Sequence, residues 1–144
     1  MILTSDVPIE AATRTRAMTL FIGLTLALVA CDGSNPIGPS NQPEIANNAD
    51  NFQFQASNLA RTTQTLTYSW TITASVANVD QSGRIDSGEA TLILRDASGH
   101  EVYNRTLTST GTFKSSSGTP GSWRIELRLT EVTGTVNFRV QRGP

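Results

Sequence analysis

From Asp50 onward, apolar and polar residues alternate with a period of two, the mark of strands buried on one side. Phe52, Phe54 and Ala56 share one side, and Asn51, Gln53 and Gln55 the other. Leu66, Tyr68, Trp70, Ile72 and Ala74 then fall on one face, opposite Thr67, Ser69, Thr71 and Thr73. A helix would scatter these apolar residues around its circumference. The pattern returns over residues 89–95, where Ala90, Leu92 and Leu94 are in phase, and over residues 101–107. It is clearest at Trp123, Ile125, Leu127 and Leu129, which alternate with Arg124, Glu126 and Arg128. Val136, Phe138 and Val140 alternate in turn with Thr135, Asn137, Arg139 and Gln141. Residues 76–79 and 112–114 predict two shorter strands.

Turn signals separate these runs. Residues 75–88 predict a loop apart from the short strand at 76–79. In Asp96-Ala97-Ser98-Gly99 the aspartate can accept from backbone N–H groups, and the glycine tolerates a left-handed backbone. Residues 131–134 predict the turn of a hairpin. Residues 115–121, SSSGTPG, predict the most flexible loop of the domain. After Cys31 no stretch carries a 3.6-residue period. Short strands separated by turns predict an all-β fold, an antiparallel, jelly-roll-like β-sandwich over residues 50–144. Two stacked sheets would bury both apolar faces, with Phe52, Phe54, Trp70, Trp123 and Phe138 as candidate core residues.

Upstream the pattern is different. Arg14 and Arg16 precede an uncharged run, residues 17–30, whose apolar part of about a dozen residues matches a signal-peptide core. It is shorter than the roughly 20 residues of a membrane-spanning helix. Leu28-Val29-Ala30-Cys31 resembles the lipobox of bacterial lipoproteins. The resemblance implies cleavage between Ala30 and Cys31 and lipidation of the Cys31 thiol. Cysteine alone supplies the nucleophilic thiol for that transfer, and two or three acyl chains hold a protein where one would not. Residues 1–30 are then a signal peptide, which a helix would form, and Cys31 begins the mature chain. Asp6 and Glu10 are unusual in such a leader and point to an upstream start. Residues 32–49, rich in Pro, Gly, Ser and Asn, predict a flexible tether that lifts the domain off the bilayer.

The net charge of −1, with acidic and basic residues interspersed, offers no basic patch, so no nucleic-acid partner is expected. A lipidated Cys31, the only cysteine, leaves no disulfide and no thiol for zinc. His100, the only histidine, follows the Asp96 turn and reads as an exposed polar residue rather than a catalytic base. No Gly-x-Ser-x-Gly elbow and no phosphate-binding glycine loop occurs.

Weaker candidates remain. Asp80, Asp86 and Glu89 on one turn-rich interval are a possible calcium site, against the plainer reading of a solvated acidic loop. No other cofactor is expected. Glu89, Glu101, Glu126 and Glu131 are available for a carboxylate pair, although Glu126 between Arg124 and Arg128 reads as charge pairing. Tyr103 and Phe113 flank loops and are candidate exposed aromatic contacts. The Thr67, Ser69, Thr71, Thr73 face reads first as β-favouring polar cover and second as a flat binding surface.

Asp50-x-Phe52-x-Phe54, Leu92-x-Leu94-x-Asp96-x-x-Gly99 and Gly121-x-Trp123-x-Ile125-x-Leu127 together resemble bacterial pre-peptidase C-terminal domains. These are small jelly-roll-like sandwiches attached to secreted enzymes. Here no peptidase is attached. The layout also resembles lipoproteins that pair a lipobox with one such domain. The family resemblance supports the fold; the lipobox, the tether and the missing catalytic set predict a non-enzymatic, monomeric binding or structural module on the cell envelope, at the periplasmic face or cell surface. Its partners would be the membrane, through the lipid, and an envelope protein or glycan. The alternatives are a small tethered carboxylate-dependent hydrolase and a calcium-stabilised spacer.

Overall fold

The computed structural model describes residues 35–144. The predicted signal segment, Ala30 and Cys31 lie outside the described residues. A short 3-10 turn, Pro39–Asn41, precedes seven strands: β1 Glu44–Asn48, β2 Asn51–Ile72, β3 Ala77–Gln81, β4 Arg84–Arg95, β5 Glu101–Thr106, β6 Gly111–Lys114 and β7 Gly121–Arg142. All pairings are antiparallel. The order is β1-β2-β7-β3-β6, with β4 also against β7 and β5 against β4.

Two strands of 22 residues each, β2 and β7, run side by side from Asn51↔Gln141 to Ile72↔Gly121. The sequence pattern predicts each as two strands, with residues 131–134 as a hairpin turn. The structure corrects this: the chain folds at a crease without reversing. Asn58, Arg61 and Glu131 adopt left-handed backbone, with φ of 54°, 51° and 51°. The β2–β7 register slips between Ala56 and Gln64, and the β4–β7 register slips between Ile85 and Glu89. Three adjacent strands are therefore bulged at one level, and bulges bend and twist a sheet. Gly134 and Gly88 permit the bend: their φ values are 130° and 80°, and a Cβ there would strike the Arg84 and Glu131 carbonyl oxygens. Thr133 Oγ1 and Thr63 Oγ1 accept from the Arg61 and Glu131 backbone N–H groups left free by the bulges.

The crease folds the sheet into the two layers of an antiparallel β-sandwich. One layer holds β1, the first part of β2, the last part of β7, β3 and β6. The other holds the rest of β2 and β7 with β4 and β5. Asp50 closes the fold. Its N–H donates to Thr71 O (2.9 Å), and its carboxylate accepts from Thr73 N (2.7 Å) and Thr73 Oγ1 (2.8 Å). The two ends of β2 therefore meet.

The core lies between the layers. Phe52, Phe54, Trp70, Trp123 and Phe138 are each no more than 1% exposed, as their spacing predicts. Register partners stack: Phe54 on Phe138 at 5.6 Å, Trp70 edge-on to Trp123 at 6.2 Å. Tyr68 reaches across to Phe52 at 5.2 Å. Such aromatic pairs add about 0.5–1.5 kcal/mol beyond their burial.

Two further expectations are corrected. Residues 44–48 are not tether: β1 pairs with Asn51–Gln55 of β2. Every β1 residue is exposed, so the strand needs only backbone pairing, and its sequence carries no apolar alternation to announce it. Side-chain amides secure the segment. Asn41 donates to Ser57 O and Asn58 O, Asn47 to Ser69 O, and Asn48 O accepts the Trp70 indole N–H at 3.0 Å. Nor is the 115–121 loop loose. Ser116 N donates to Val102 O, Gly118 N to Ser75 O, and Thr119 N to the Asp96 carboxylate. Thr119 O accepts the Trp123 indole N–H at 2.7 Å.

Candidate functional site

The Asp96 turn is built as its sequence predicts. Asp96 Oδ1 accepts from Ser98 N (2.9 Å) and His100 N (2.8 Å), and Oδ2 from Thr119 N (2.8 Å). These bonds, led by the one from Thr119, hold the Asp96 carboxyl below the usual aspartate range, against the opposing effect of burial. Ser98 Oγ meets Thr119 Oγ1 at 3.0 Å, and Ala97 N donates to Thr119 O. The turn is thereby clamped to the 115–121 loop, which leads directly into β7.

Between this turn and the outer face of β2 and β7 lies a cleft of about 330 Å³. Thr67, Ser69, Ser122 and Arg124 come from the strands; Arg95, Asp96, Ala97 and Gly99 come from the end of β4 and the turn. Tyr68 is half-buried and Trp123 1% exposed, and the accessible wall combines hydroxyl and guanidinium groups with a somewhat larger apolar part. Ser69 Oγ and Ser122 Oγ lie 2.7 Å apart across the strands. Arg95 and Arg124 are direct register partners on β4 and β7. Arg95 bonds Glu101 at 3.1 Å. Arg124 is exposed and makes no ion pair among the described residues.

The remaining candidates lie elsewhere. Asp80 on β3 stands opposite Arg139, while Asp86 and Glu89 on β4 lie near Gly134 and Thr130, so the three are strung along β7. Asp80 accepts from Thr112 Oγ1 (2.7 Å) and Arg139 Nη2 (2.9 Å), Asp86 from Arg84, and Glu89 from Thr91. The Thr112 and Arg139 bonds lower the Asp80 pKa. Among the described residues no group of three His, Cys, Asp or Glu side chains is placed to hold a metal ion. Glu101, Glu126 and Glu131 bond Arg95, Arg128 and Arg61, and none of the four glutamates lines the cleft.

Tyr103 is not an exposed contact. It is 7% exposed, and its hydroxyl accepts from Gln81 Nε2 at 2.8 Å inside the core. Burial pushes its pKa up to about 12. The sequence shows Tyr103 beside a turn but not that Val102 and Tyr103 are both buried where the β4–β5 register slips. Phe113 is half-buried against the core, with the Arg105 guanidinium 4.0 Å from its ring centre. His100 is largely exposed, with Nδ1 3.6 Å from Asp96 Oδ2.

Arg124 and Arg95 are the residues that sequence reasoning passes over. Alternation places Arg124 on the polar face, but its neighbour depends on register, and Glu126 pairs with Arg128 rather than with Arg124. No protein-family model matches this chain, and no curated protein is significantly similar to it.

Proposed function

We propose that the chain is a cell-envelope lipoprotein, moored through Cys31, whose sandwich is a non-catalytic binding module with the cleft beside the Asp96 turn as its contact surface. The observation that carries the binding reading is the chemistry of that cleft. Its one acidic side chain, Asp96, has both carboxylate oxygens engaged by backbone N–H groups, an arrangement that fixes a loop rather than moves a proton. Hydroxyls and an unpaired guanidinium face outward beside it, groups that hold a polar ligand.

The anchor reading is supported by Leu28-Val29-Ala30-Cys31, and among the described residues contact with the sandwich begins close behind it. Asn35 Nδ2 donates to Ala60 O, and Ile37 N donates to Gln64 Oε1. The chain from Cys31 to Asn35 spans at most about 14 Å, so a lipid on Cys31 would hold the sandwich close to the bilayer.

Photo-crosslinking in intact envelopes tests the module. A crosslinker beside the cleft should capture an envelope component, and Ser122→Trp, which fills the cleft, should abolish capture while the melting temperature holds. Capture unaffected by Ser122→Trp would contradict the assignment.

A further inference from the structure

The electrostatics of the cleft narrow its ligand. Like charges directly opposite each other on paired strands are unfavourable, yet Arg95 and Arg124 are direct partners. Glu101 pairs with Arg95, whereas Arg124 makes no ion pair among the described residues, and the one carboxylate of the cleft, Asp96, is taken up by backbone N–H groups. The sheet thus retains an uncompensated guanidinium beside a cleft of about 330 Å³, at the small end of ligand pockets. Around it stand Thr67, Ser69 and Ser122, each able to donate and accept.

We infer that this cleft binds an acidic sugar residue, with Arg124 taking its carboxylate and the three hydroxyls taking its ring hydroxyls. The inference rests on the binding-module reading. A guanidinium offers two parallel N–H donors to a carboxylate. One unpaired guanidinium matches one monoanionic carboxylate, whereas a phosphate dianion calls for more positive charge than Arg95, already bonded to Glu101, supplies. A peptide partner would want apolar anchors. Ile45 is the one exposed large apolar side chain among the described residues, and it is on β1, outside the cleft.

The test is calorimetric titration of the full-length protein in detergent with an oligogalacturonate, the matching neutral galactose oligosaccharide, and inorganic phosphate. Saturable binding of the oligogalacturonate alone is expected. Arg124→Gln should weaken it about tenfold or more, and Arg124→Lys should weaken it as well, because lysine lacks the planar fork. The melting temperature of Arg124→Gln should be unchanged or raised, since the substitution relieves the repulsion from Arg95; a structural arginine would lower it. Equal binding of the neutral oligosaccharide, phosphate competing at the same site, or Arg124→Gln binding like wild type would each overturn the inference. So would absence of oligogalacturonate binding. In that case, loss of envelope crosslinks in Ser122→Trp would leave the binding module standing with a different ligand chemistry.

Discussion

Gln81 and Tyr103 meet inside the core, 2.8 Å apart, at 2% and 7% exposure. A buried donor that loses its acceptor costs about 1–3 kcal/mol. Tyr103→Phe strands Gln81 Nε2 and should lower stability by about that amount in urea unfolding; an unchanged midpoint would mean that the pair carries no weight. The same burial predicts an alkaline limb. Tyrosine titrates near about 10 when free but at about 12 for Tyr103. A folded pKa above the unfolded one contributes stability that is complete below the unfolded value and disappears as pH rises through the folded value. Ultraviolet titration of the phenolate should therefore show Tyr103 ionising only near about 12, with stability falling over the same interval. Ionisation at the ordinary value would show an accessible ring. The sequence placed Tyr103 beside a turn, and only the slipped β4–β5 register turns it inward.

At the level of elements, the crease decides the architecture. Alternation alone located the long strands, because each of these buries one face: Leu92 and Leu94 are fully buried, as are Ile125 and Leu127. Alternation does not say whether a break such as 131–134 reverses the chain or bends it. That choice is made by neighbours distant in sequence: Arg84 O closes on Gly134, and Thr63 Oγ1 accepts from Glu131 N. Gly134→Ala forces a side chain into both a left-handed backbone and the Arg84 carbonyl. It should cost at least about 1–3 kcal/mol; a wild-type melting temperature would contradict the crease. The Arg61–Glu131 ion pair spans the same crease but is exposed on both sides, so Glu131→Gln should change stability by under about 1 kcal/mol. β1 was invisible for the opposite reason, since it buries no side chain. Its order can be read by hydrogen exchange: alternate amides of residues 44–48, those that donate to β2, should be protected, whereas a tether would exchange freely throughout.

Across the whole molecule, closure rests on carboxylates. Hydrogen bonds from Thr73 lower the Asp50 pKa, with Arg142 at 3.8 Å assisting. Thr112 and Arg139 do the same for Asp80, and Thr119, His100 and Ser98 backbone groups for Asp96. A carboxyl depressed in the folded state stabilises the fold above its unfolded pKa, and that contribution is lost as pH falls through the folded pKa. Stability should thus be flat near neutrality and fall below about pH 4, the ordinary aspartate range. Asp50→Asn should shrink the fall; an acid limb of undiminished size would place the dependence elsewhere. The candidate site was half legible. Asp96 and its turn announced themselves through Asp-x-x-Gly, and the Thr67–Ser69 face through its alternation. The opposition of Arg95 and Arg124 and the clamp from Thr119 required the pairing of β4 with β7.

The proposed placement of this sandwich on a membrane depends on a single sulfur. Intact mass spectrometry of the N-terminal peptide, from protein recovered from bacterial envelopes, reads it directly. The expected product is a chain beginning at Cys31 and carrying two or three acyl groups, with Cys31→Ser left uncut and unacylated. A wild-type chain that retains residues 1–30, or a Cys31 bearing a free thiol, would contradict it.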